Sequence, residues 1–158
     1  MKKKKAFSII EVLIVIAIIG IMTAATIVSL QSGKTDKELE TAAREVSAAI
    51  REAQNNALTG KNASSSCQYY DFTYTASSTN YSVGTVSGSG CPLASYTLKN
   101  GVTFVNGGSF NFSIPFGGVT GISGIKITKN NVCYCVSINS SGSVEERGKL
   151  STCSASCS

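Results

Sequence analysis

The sequence predicts an α+β protein in which one long N-terminal helix precedes an antiparallel β-sheet or a small β-sandwich. Two observations support this order. A basic leader and an apolar run pass into a segment with apolar residues at helical spacing, and beyond Gly60 alternating runs rich in Ser, Thr, Gly, Asn and aromatic residues begin. Helical segments followed by strands are typical of α+β folds. The 158 residues suffice for one domain of roughly 100 residues and an N-terminal anchor.

The positive charge of the chain is concentrated at its N-terminus. Lys and Arg total 14 and Asp and Glu total 9, which gives a net charge of +5. Four of these lysines lie in residues 1–6, and without that leader ten bases face nine acids. The basicity therefore does not indicate a nucleic-acid surface, which needs a basic patch on the folded part of the chain.

An apolar run from Val12 to Val28 follows the leader. With the apolar residues just ahead of it, the run approaches the ~20 residues that cross a bilayer as a helix. Lysines immediately before such a segment predict that the N-terminus stays in the cytoplasm. Glu11 stands at the edge of the run, where a carboxylate is costly and is therefore a candidate functional residue. We predict a membrane-spanning helix over residues 7–30.

An ordinary cleaved signal peptide is the competing interpretation of this N-terminus. It would use the same basic and apolar segments, and Thr23, Ala24 and Ala25 are small enough for a signal peptidase site. The acid at the start of the apolar run and the helical pattern that continues beyond this site both favour an uncleaved helix.

Residues 31–58 predict an amphipathic continuation of the helix. Thr35 and Glu38 have capping-box spacing, Glu40 and Arg44 are four residues apart on the polar face, and Thr59-Gly60 ends the pattern. One apolar face recurs at alternating four- and three-residue steps, which predicts packing against a sheet. Its members are Leu39, Ala43, Val46, Ile50, Ala53 and Ala57.

Residues 59–158 predict a β-rich head. Asn106-Gly107-Gly108 is expected to form a tight hairpin between two strands, and the turn Asn139–Gly142 to lead into a short strand near Val144. The alternating runs that predict strands are Tyr70–Tyr74, Tyr81–Val86, Tyr96–Leu98, Val102–Val105, Phe110–Ile114, Ile125–Thr128 and Val132–Ile138.

Six cysteines, all within this head, predict disulfides and an oxidising compartment. Zinc is the competing interpretation, but the chain has no histidine and Cys133 and Cys135 are separated by a single residue. Side chains two apart on a strand share a face, so these two cysteines point to separate partners in the C-terminal tail. An antiparallel tail predicts Cys135–Cys153 and Cys133–Cys157, and the crossed pairs Cys133–Cys153 and Cys135–Cys157 remain open. Cys67–Cys91 is then the remaining pair.

The sequence predicts no catalytic residue, no metal site and no cofactor. Without histidine, the Ser-His-Asp and Cys-His arrangements cannot form. No nucleophile elbow or phosphate-binding glycine loop is found, and the two aspartates, Asp36 and Asp71, are too separated for a calcium loop. The chain is therefore not expected to be an enzyme.

The N-terminal stretch from Ala6 to Ile16 resembles the class III signal of type IV pilins and type II secretion pseudopilins. The resemblance implies that a membrane peptidase cuts between Ala6 and Phe7 and that the new N-terminus, Phe7, is methylated. The family usually has glycine before the cut, where this chain has Ala6. It also implies a pilin-like fold, in which the helix packs on the β-rich head.

The same resemblance assigns two further residues. Glu11 matches the family's acid at the fifth mature position, which pairs with the terminal amine of a neighbouring subunit, here that of Phe7. Gly20 matches a glycine where the helix loosens in some assembled filaments. Major pilins commonly carry a proline where this chain has Val28, which favours a minor pilin or a pseudopilin.

The head is similar to the GspH/FimT group of minor pilins and pseudopilins, through the helix pattern Ala43–Ala53 and the segment from Phe110 to Gly117. Some members bind DNA through a basic C-terminal strand. The corresponding stretch here, residues 145–149, mixes two acids with two bases, so nucleic acid is possible but not favoured.

The resemblance as a whole implies a structural subunit of a type IV pilus or a type II secretion-like filament, assembled through its N-terminal helix. Its expected partners are other pilin or pseudopilin subunits, the prepilin peptidase and the inner-membrane assembly platform. The subunit would be single-pass in the cytoplasmic membrane with its head outside, and later part of a periplasmic or extracellular filament. The alternatives are a DNA-capture or adhesion minor pilin, or a secreted binding module with an ordinary signal peptide.

Overall fold

The computed structural model describes residues 8–86, 90–121 and 124–157, without the side chains of residues 24–32. The expected leader, residues 1–6, and the cleavage site at Ala6-Phe7 lie outside the described residues. The architecture is α+β, as predicted: one helix, α1, is followed by nine described strands. The elements are α1 Ile9–Thr59, β1 Tyr69–Tyr74, β2 Asn80–Val86, β3 Leu93–Thr97, β4 Thr103–Phe104, β5 Gly108–Ser113, β6 Val119–Thr120, β7 Ile125–Lys129, β8 Val132–Ile138 and β9 Val144–Lys149.

The chain divides into two compact units, one up to Lys34 and one from Thr35 onward. In the second unit the strands form two antiparallel sheets. Sheet 1 has the order β3-β2-β1-β5-β6, and sheet 2 has the order β4-β7-β8-β9. One edge strand of sheet 1 is β3, which has five residues. One edge strand of sheet 2 is β9, which has six residues.

The apolar face predicted for the second half of α1 is confirmed. All six of its positions are buried, and Leu39, Val46 and Ile50 are fully inaccessible to solvent. They share one hydrophobic core with inward-facing side chains of both sheets, among them Phe72 and Phe110 of sheet 1. These two rings stack at a centroid distance of 5.0 Å. The predicted pair Glu40 and Arg44 forms a salt bridge on the exposed face of the helix.

Helix α1 ends at Thr59, as its Thr-Gly sequence predicts. Gly60 adopts a φ of +65°, in the left-handed region that glycine tolerates. Its amide donates to the carbonyl of Ala57 at 3.2 Å, and the amide of Lys61 donates to the carbonyl of Asn56 at 3.0 Å. These two bonds are those of a Schellman motif, which satisfies carbonyls that the last helical turn leaves free.

The prediction of a tight hairpin at Asn106-Gly107-Gly108 is wrong. The strands on either side belong to different sheets: β4 pairs with β7, and β5 pairs with β1. The segment is a crossover between the sheets, and Asn106 holds it there because its side chain donates to the carbonyl of Gly124 at 3.0 Å and accepts from the amide of Lys126 at 3.0 Å. A local turn sequence predicts a change of direction, but it does not specify which strand lies next to which.

Three disulfides tie the second unit together. Cys67 is joined to Cys91, the pair expected from the sequence. The preferred pairs Cys135–Cys153 and Cys133–Cys157 are not formed. The structure has the crossed alternative, Cys133–Cys153 and Cys135–Cys157, with Cα–Cα distances of 5.3 and 5.7 Å.

The direction of the C-terminal tail explains the crossed pairing. Strand β9 is already the antiparallel partner of β8, and its end reaches Cys133, whose carbonyl accepts from the amide of Leu150 at 2.8 Å. The chain then reverses. The sulfur of Cys153 lies 3.7 Å from the carbonyl oxygen of Asn131, and that of Cys157 lies 3.8 Å from the carbonyl oxygen of Val136. The tail thus runs parallel to β8, so the earlier cysteine of one segment meets the earlier cysteine of the other.

Gly124 is the point where the tail comes closest to sheet 2. A Cβ atom at this position would lie 1.8 Å from the carbonyl oxygen of Cys157 and 2.6 Å from its sulfur. That backbone oxygen belongs to Cys157, whose position is restrained by its disulfide with Cys135. We therefore predict that Gly124→Ala destabilises the folded protein by about 1–3 kcal/mol. Gly118→Ala is the matched control, since the nearest atom, the hydroxyl oxygen of Ser113, is 3.3 Å away.

Thermal unfolding of the two variants under non-reducing conditions measures the difference. The prediction fails if Gly124→Ala and Gly118→Ala unfold at the same temperature as the parent protein.

Candidate functional site

The start of α1 carries the candidate assembly residue, Glu11. The carbonyl of Ser8 accepts hydrogen bonds from the amides of Glu11 at 3.1 Å and Val12 at 3.3 Å, so Ser8 stands at the helix cap and Glu11 in the first turn. A carboxylate there interacts favourably with the helix dipole, by about 0.3–1 kcal/mol. Ser8 and Glu11 also have the spacing of a capping box, so this helix start has a signal in the sequence itself.

The first unit exposes apolar side chains on every face of the helix. The large apolar residues from Ile9 to Met22 are between 48% and 82% exposed. Consecutive residues of a helix point in directions about 100° apart. The exposed residues are Ile9, Ile10, Val12, Leu13, Ile14, Val15, Ile16, Ile18, Ile19, Ile21 and Met22. A helix that is apolar all round is typical of a segment covered by lipid or by other protein. Among the described residues, no helix meets the length and apolarity required to span a membrane.

Gly20 lies within this exposed segment of the helix. A Cβ atom at this position would have no heavy atom within 4 Å, so packing inside the described chain does not require glycine here. Glycine inside a helix costs roughly 0.5–1 kcal/mol relative to alanine. The expected role of Gly20 in loosening the helix therefore stays a prediction.

In the second unit, a clasp of three polar pairs holds the first turns of that part of α1 to sheet 2. We call this group the helix–sheet clasp. The ammonium of Lys149 lies 2.9 Å from the carboxylate of Asp36, and the side-chain amide of Asn130 donates to the hydroxyl of Thr35 at 3.3 Å. The third and least exposed pair is Lys129 with Glu38, which are 21% and 14% exposed and 2.5 Å apart.

The clasp and its surroundings also engage most of the head's positive charge. Lys129 and Lys149 face carboxylates of α1, Arg147 forms an ion pair with Glu145 at 3.1 Å, and Lys126 donates to the carbonyl of Cys153 at 3.4 Å. These four bases are thus directed at groups of the same chain. These four side chains therefore do not form a basic stripe of the kind that contacts successive phosphates.

One tyrosine links the middle of α1 to sheet 1. The hydroxyl of Tyr81 lies 3.2 Å from a carboxylate oxygen of Glu45 and donates to it. Burial raises the pKa of Tyr81 well above its usual value, and the negative charge of Glu45 raises this pKa further. The phenol of Tyr81 is therefore held in its neutral form, in which it can donate this hydrogen bond. The bond has a structural role.

The described residues contain no group of three or more potential metal ligands. The head has open surface cavities: one is lined by Ser, Thr, Asn and Tyr side chains, and a second includes Glu52 and Lys61 among its lining residues. What the described chain presents is a surface for packing, in its apolar N-terminal segment above all.

Comparison with known proteins finds a family motif at the N-terminus of the chain. Residues 1–27 match the prokaryotic N-terminal methylation motif. No curated protein and no solved structure matches the chain. The matched residues include Ala6, Phe7, Glu11 and Gly20, and the match supports a type IV pilin-like protein. It does not extend to the head, so the similarity to the GspH/FimT group stays a prediction.

The pair of Lys129 with Glu38 allows the contribution of the clasp to the free energy of unfolding to be measured. Lys129→Ala removes the cation from a carboxylate that is mostly shielded from water, and we expect a loss of about 1–3 kcal/mol in the free energy of unfolding. Arg44→Ala is the control, because Arg44 is 67% exposed and its pair with Glu40 is worth only about 0.3–0.5 kcal/mol.

Urea unfolding of the two variants and the parent protein measures these losses. Equal midpoints for Lys129→Ala and Arg44→Ala would show that the clasp contributes no more than a surface ion pair.

Proposed function

We propose that this chain is a minor pilin or pseudopilin, a structural subunit of a type IV pilus or a type II secretion-like filament. Residues 7–30 hold it in the cytoplasmic membrane until assembly, and its head lies on the far side. A prepilin peptidase cleaves between Ala6 and Phe7, and the assembly platform of the inner membrane transfers the processed subunit into the filament. The role is structural and not catalytic.

The observation that carries this proposal is the exposed apolar surface of residues 9–22 directly within the methylation motif. Such a surface is stable only when it is covered. Lipid covers it in a precursor, and the same segments of neighbouring subunits cover it in a filament. An anchor without assembly explains the apolar surface equally well, but it does not explain an acid at its edge.

Glu11 gives the assembled state its register in this proposal. Its carboxylate would pair with the methylated amine of Phe7 in a neighbouring subunit, because a carboxylate among apolar side chains needs a partner of opposite charge. Since Ser8 and Glu11 also have the spacing of a capping box, the experiment must separate capping from charge pairing.

The head favours a structural role over DNA capture. Four of its bases contact groups of the same chain, which leaves little positive charge to meet phosphates. The disulfides suit an oxidising compartment, as expected of a head outside the cytoplasm. An adhesive head and a secreted module with an ordinary signal peptide are the competing functions.

The mature N-terminus distinguishes these possibilities. We expect mass spectrometry of the protein from its native membrane to find a chain that begins with a methylated Phe7. Deletion of the prepilin peptidase should restore the full precursor. A chain that starts near Thr26 would indicate signal-peptide cleavage and would contradict the proposal.

The charge of Glu11 is tested by three substitutions. Glu11→Val should leave membrane insertion intact and reduce incorporation into filaments about tenfold or more, because the pair is lost. Glu11→Gln keeps an oxygen for the capping box but removes the charge, and it should reduce incorporation into filaments to the same extent. Glu11→Asp keeps the charge and should retain part of the incorporation.

Immunoblots of sheared filaments and of membranes report incorporation and insertion separately. Normal incorporation of Glu11→Gln would show that helix capping is the whole role of this residue.

A further inference from the structure

The surplus of positive charge in the second unit lies where its part of α1 begins. From Thr35 onward the chain contains nine bases and eight acids, a net charge of +1. Four of the bases and two of the acids lie together at this end, and we call them the basal group. The basal group consists of Lys37, Lys99, Lys129, Lys149, Asp36 and Glu38. The other five bases of the unit face six acids, so the basal group holds the whole positive surplus.

The contacts of one lysine bring the two sides of the basal group together. The ammonium of Lys129 pairs with the carboxylate of Glu38, and it also donates to the carbonyl of Asn100 at 2.5 Å. Lys37 and Lys99 are the chain neighbours of Glu38 and Asn100, so both are held close to this ammonium. A residue of α1 and a residue of the loop before β4 thus share one end of the unit.

Both acids of the basal group already have a cation, because the helix–sheet clasp pairs each of them with a lysine. Lys37 and Lys99 are exposed, and neither forms an ion pair among the side chains that the structure describes. Glu40, one turn further along α1, is paired with Arg44. The ammonium groups of Lys37 and Lys99 are therefore the charge that this end presents to solvent.

The chain itself limits how far the basal group can lie from a membrane. The proposed membrane segment ends at residue 30, five positions before Thr35. Five residues span at most about 18 Å when fully extended and about 8 Å when helical. An anionic bilayer attracts lysines within a screening length of about 8–10 Å. The proposed anchor thus brings a lipid surface within reach of Lys37 and Lys99 in every precursor molecule.

Lys61 is an exposed lysine at the other end of the same helix. Residues 35–59 of α1 cover about 36 Å at 1.5 Å per residue, and Lys61 follows the end of the helix by two residues. This distance is several screening lengths. A bilayer in contact with the basal group therefore need not reach Lys61, which makes this residue an internal reference for the contact.

We propose that Lys37 and Lys99 bind the headgroups of anionic phospholipids and hold the second unit on the membrane surface before assembly. Their ammonium groups contact the phosphate oxygens as point charges. The inference rests on the proposed membrane anchor, because the anchor brings the lipid to this end of the unit. The contact belongs to the precursor, since a subunit that enters a filament leaves the bilayer.

Acetylation of lysines in the full-length chain, inserted in lipid vesicles, tests this contact. The vesicles contain phosphatidylcholine alone, or phosphatidylcholine with about 30 mol% phosphatidylglycerol as the source of negative charge. A membrane-impermeant acetylating reagent modifies the heads outside the vesicles, and mass spectrometry measures each lysine separately. Flotation with the neutral vesicles shows whether the apolar segment is inserted.

We expect Lys37 and Lys99 to be acetylated about threefold to fivefold more slowly in the anionic vesicles than in the neutral ones, because the headgroups cover both ammonium groups. Lys61 should be acetylated at nearly the same rate in the two kinds of vesicle. At about 0.5 M salt the difference at Lys37 and Lys99 should disappear, since the screening length falls to about 4 Å.

Substitution of one lysine tests whether the two act together. Lys37→Gln removes one of the two charges, so the protection of Lys99 in anionic vesicles should fall about twofold while flotation is unchanged. Lys61→Gln is the matched control, because it removes an exposed charge of the same kind from the far end of the helix. It should leave the protection of Lys99 as it is in the parent protein. Far-UV circular dichroism checks that both variants keep the fold.

Three results would overturn the proposal. The first is equal acetylation of Lys37 and Lys99 in neutral and anionic vesicles with which the chain floats, since the anchor would then stand without the lipid contact. The second is equal protection of Lys61, which would indicate a general attraction of the head. The third is protection in neutral vesicles that increases with the protein-to-lipid ratio, which would make a second copy of the chain the partner. A chain that does not float with neutral vesicles would instead contradict the anchor, and with it the filament proposal.

Discussion

Burial of one face of α1 is the constraint on which the fold of the second unit depends. Leu39, Val46 and Ile50 are fully buried, and each such side chain contributes about 1.5–3 kcal/mol when it leaves water. The other three residues of this face, Ala43, Ala53 and Ala57, are small, which lets the strands approach the helix axis. The large volumes come from the sheets, where four phenylalanines are fully or almost fully buried. Because both sheets meet the same helical face, a loss of helix in this region would separate them.

Sheet 2 has a second requirement, since side chains of β8 alternate between two faces. Val136 and Ile138 belong to the core that α1 shares, whereas Cys133 and Cys135 point to the opposite face. The tail that covers them is polar and short, and it has too few apolar residues to stay in place through burial alone. Two disulfides attach it, and closing loops of this length stabilises a fold by about 3 kcal/mol each in the chain-entropy account. A small head can in this way cover a sheet that its composition would otherwise leave exposed.

Features of the structure that depend on local periodicity could be predicted from the sequence. The buried face of α1, its end at Gly60 and the approximate positions of the longer strands follow from spacing and turn residues. Features that depend on contacts between distant segments could not. The crossover at Asn106 carries an ordinary turn sequence, and β6 has only two residues. The tail direction depends on β9 having already taken the antiparallel position beside β8, which no residue in the tail reveals. The clasp at Asp36 and Glu38 joins residues more than 90 positions apart.

Apolar residues are distributed differently around the helix axis in two segments of α1. The difference bears on the role of Glu11. Between residues 39 and 57 the apolar residues occupy one face, which the same chain covers, whereas between residues 9 and 22 they occupy all faces and stay exposed. A carboxylate at the start of the second surface gains about 0.3–1 kcal/mol from the helix dipole. Its transfer into an apolar environment costs several kcal/mol unless a cation accompanies it. Capping alone therefore does not compensate for Glu11 once this surface is covered, and we expect a positive group from outside the described helix to pair with it.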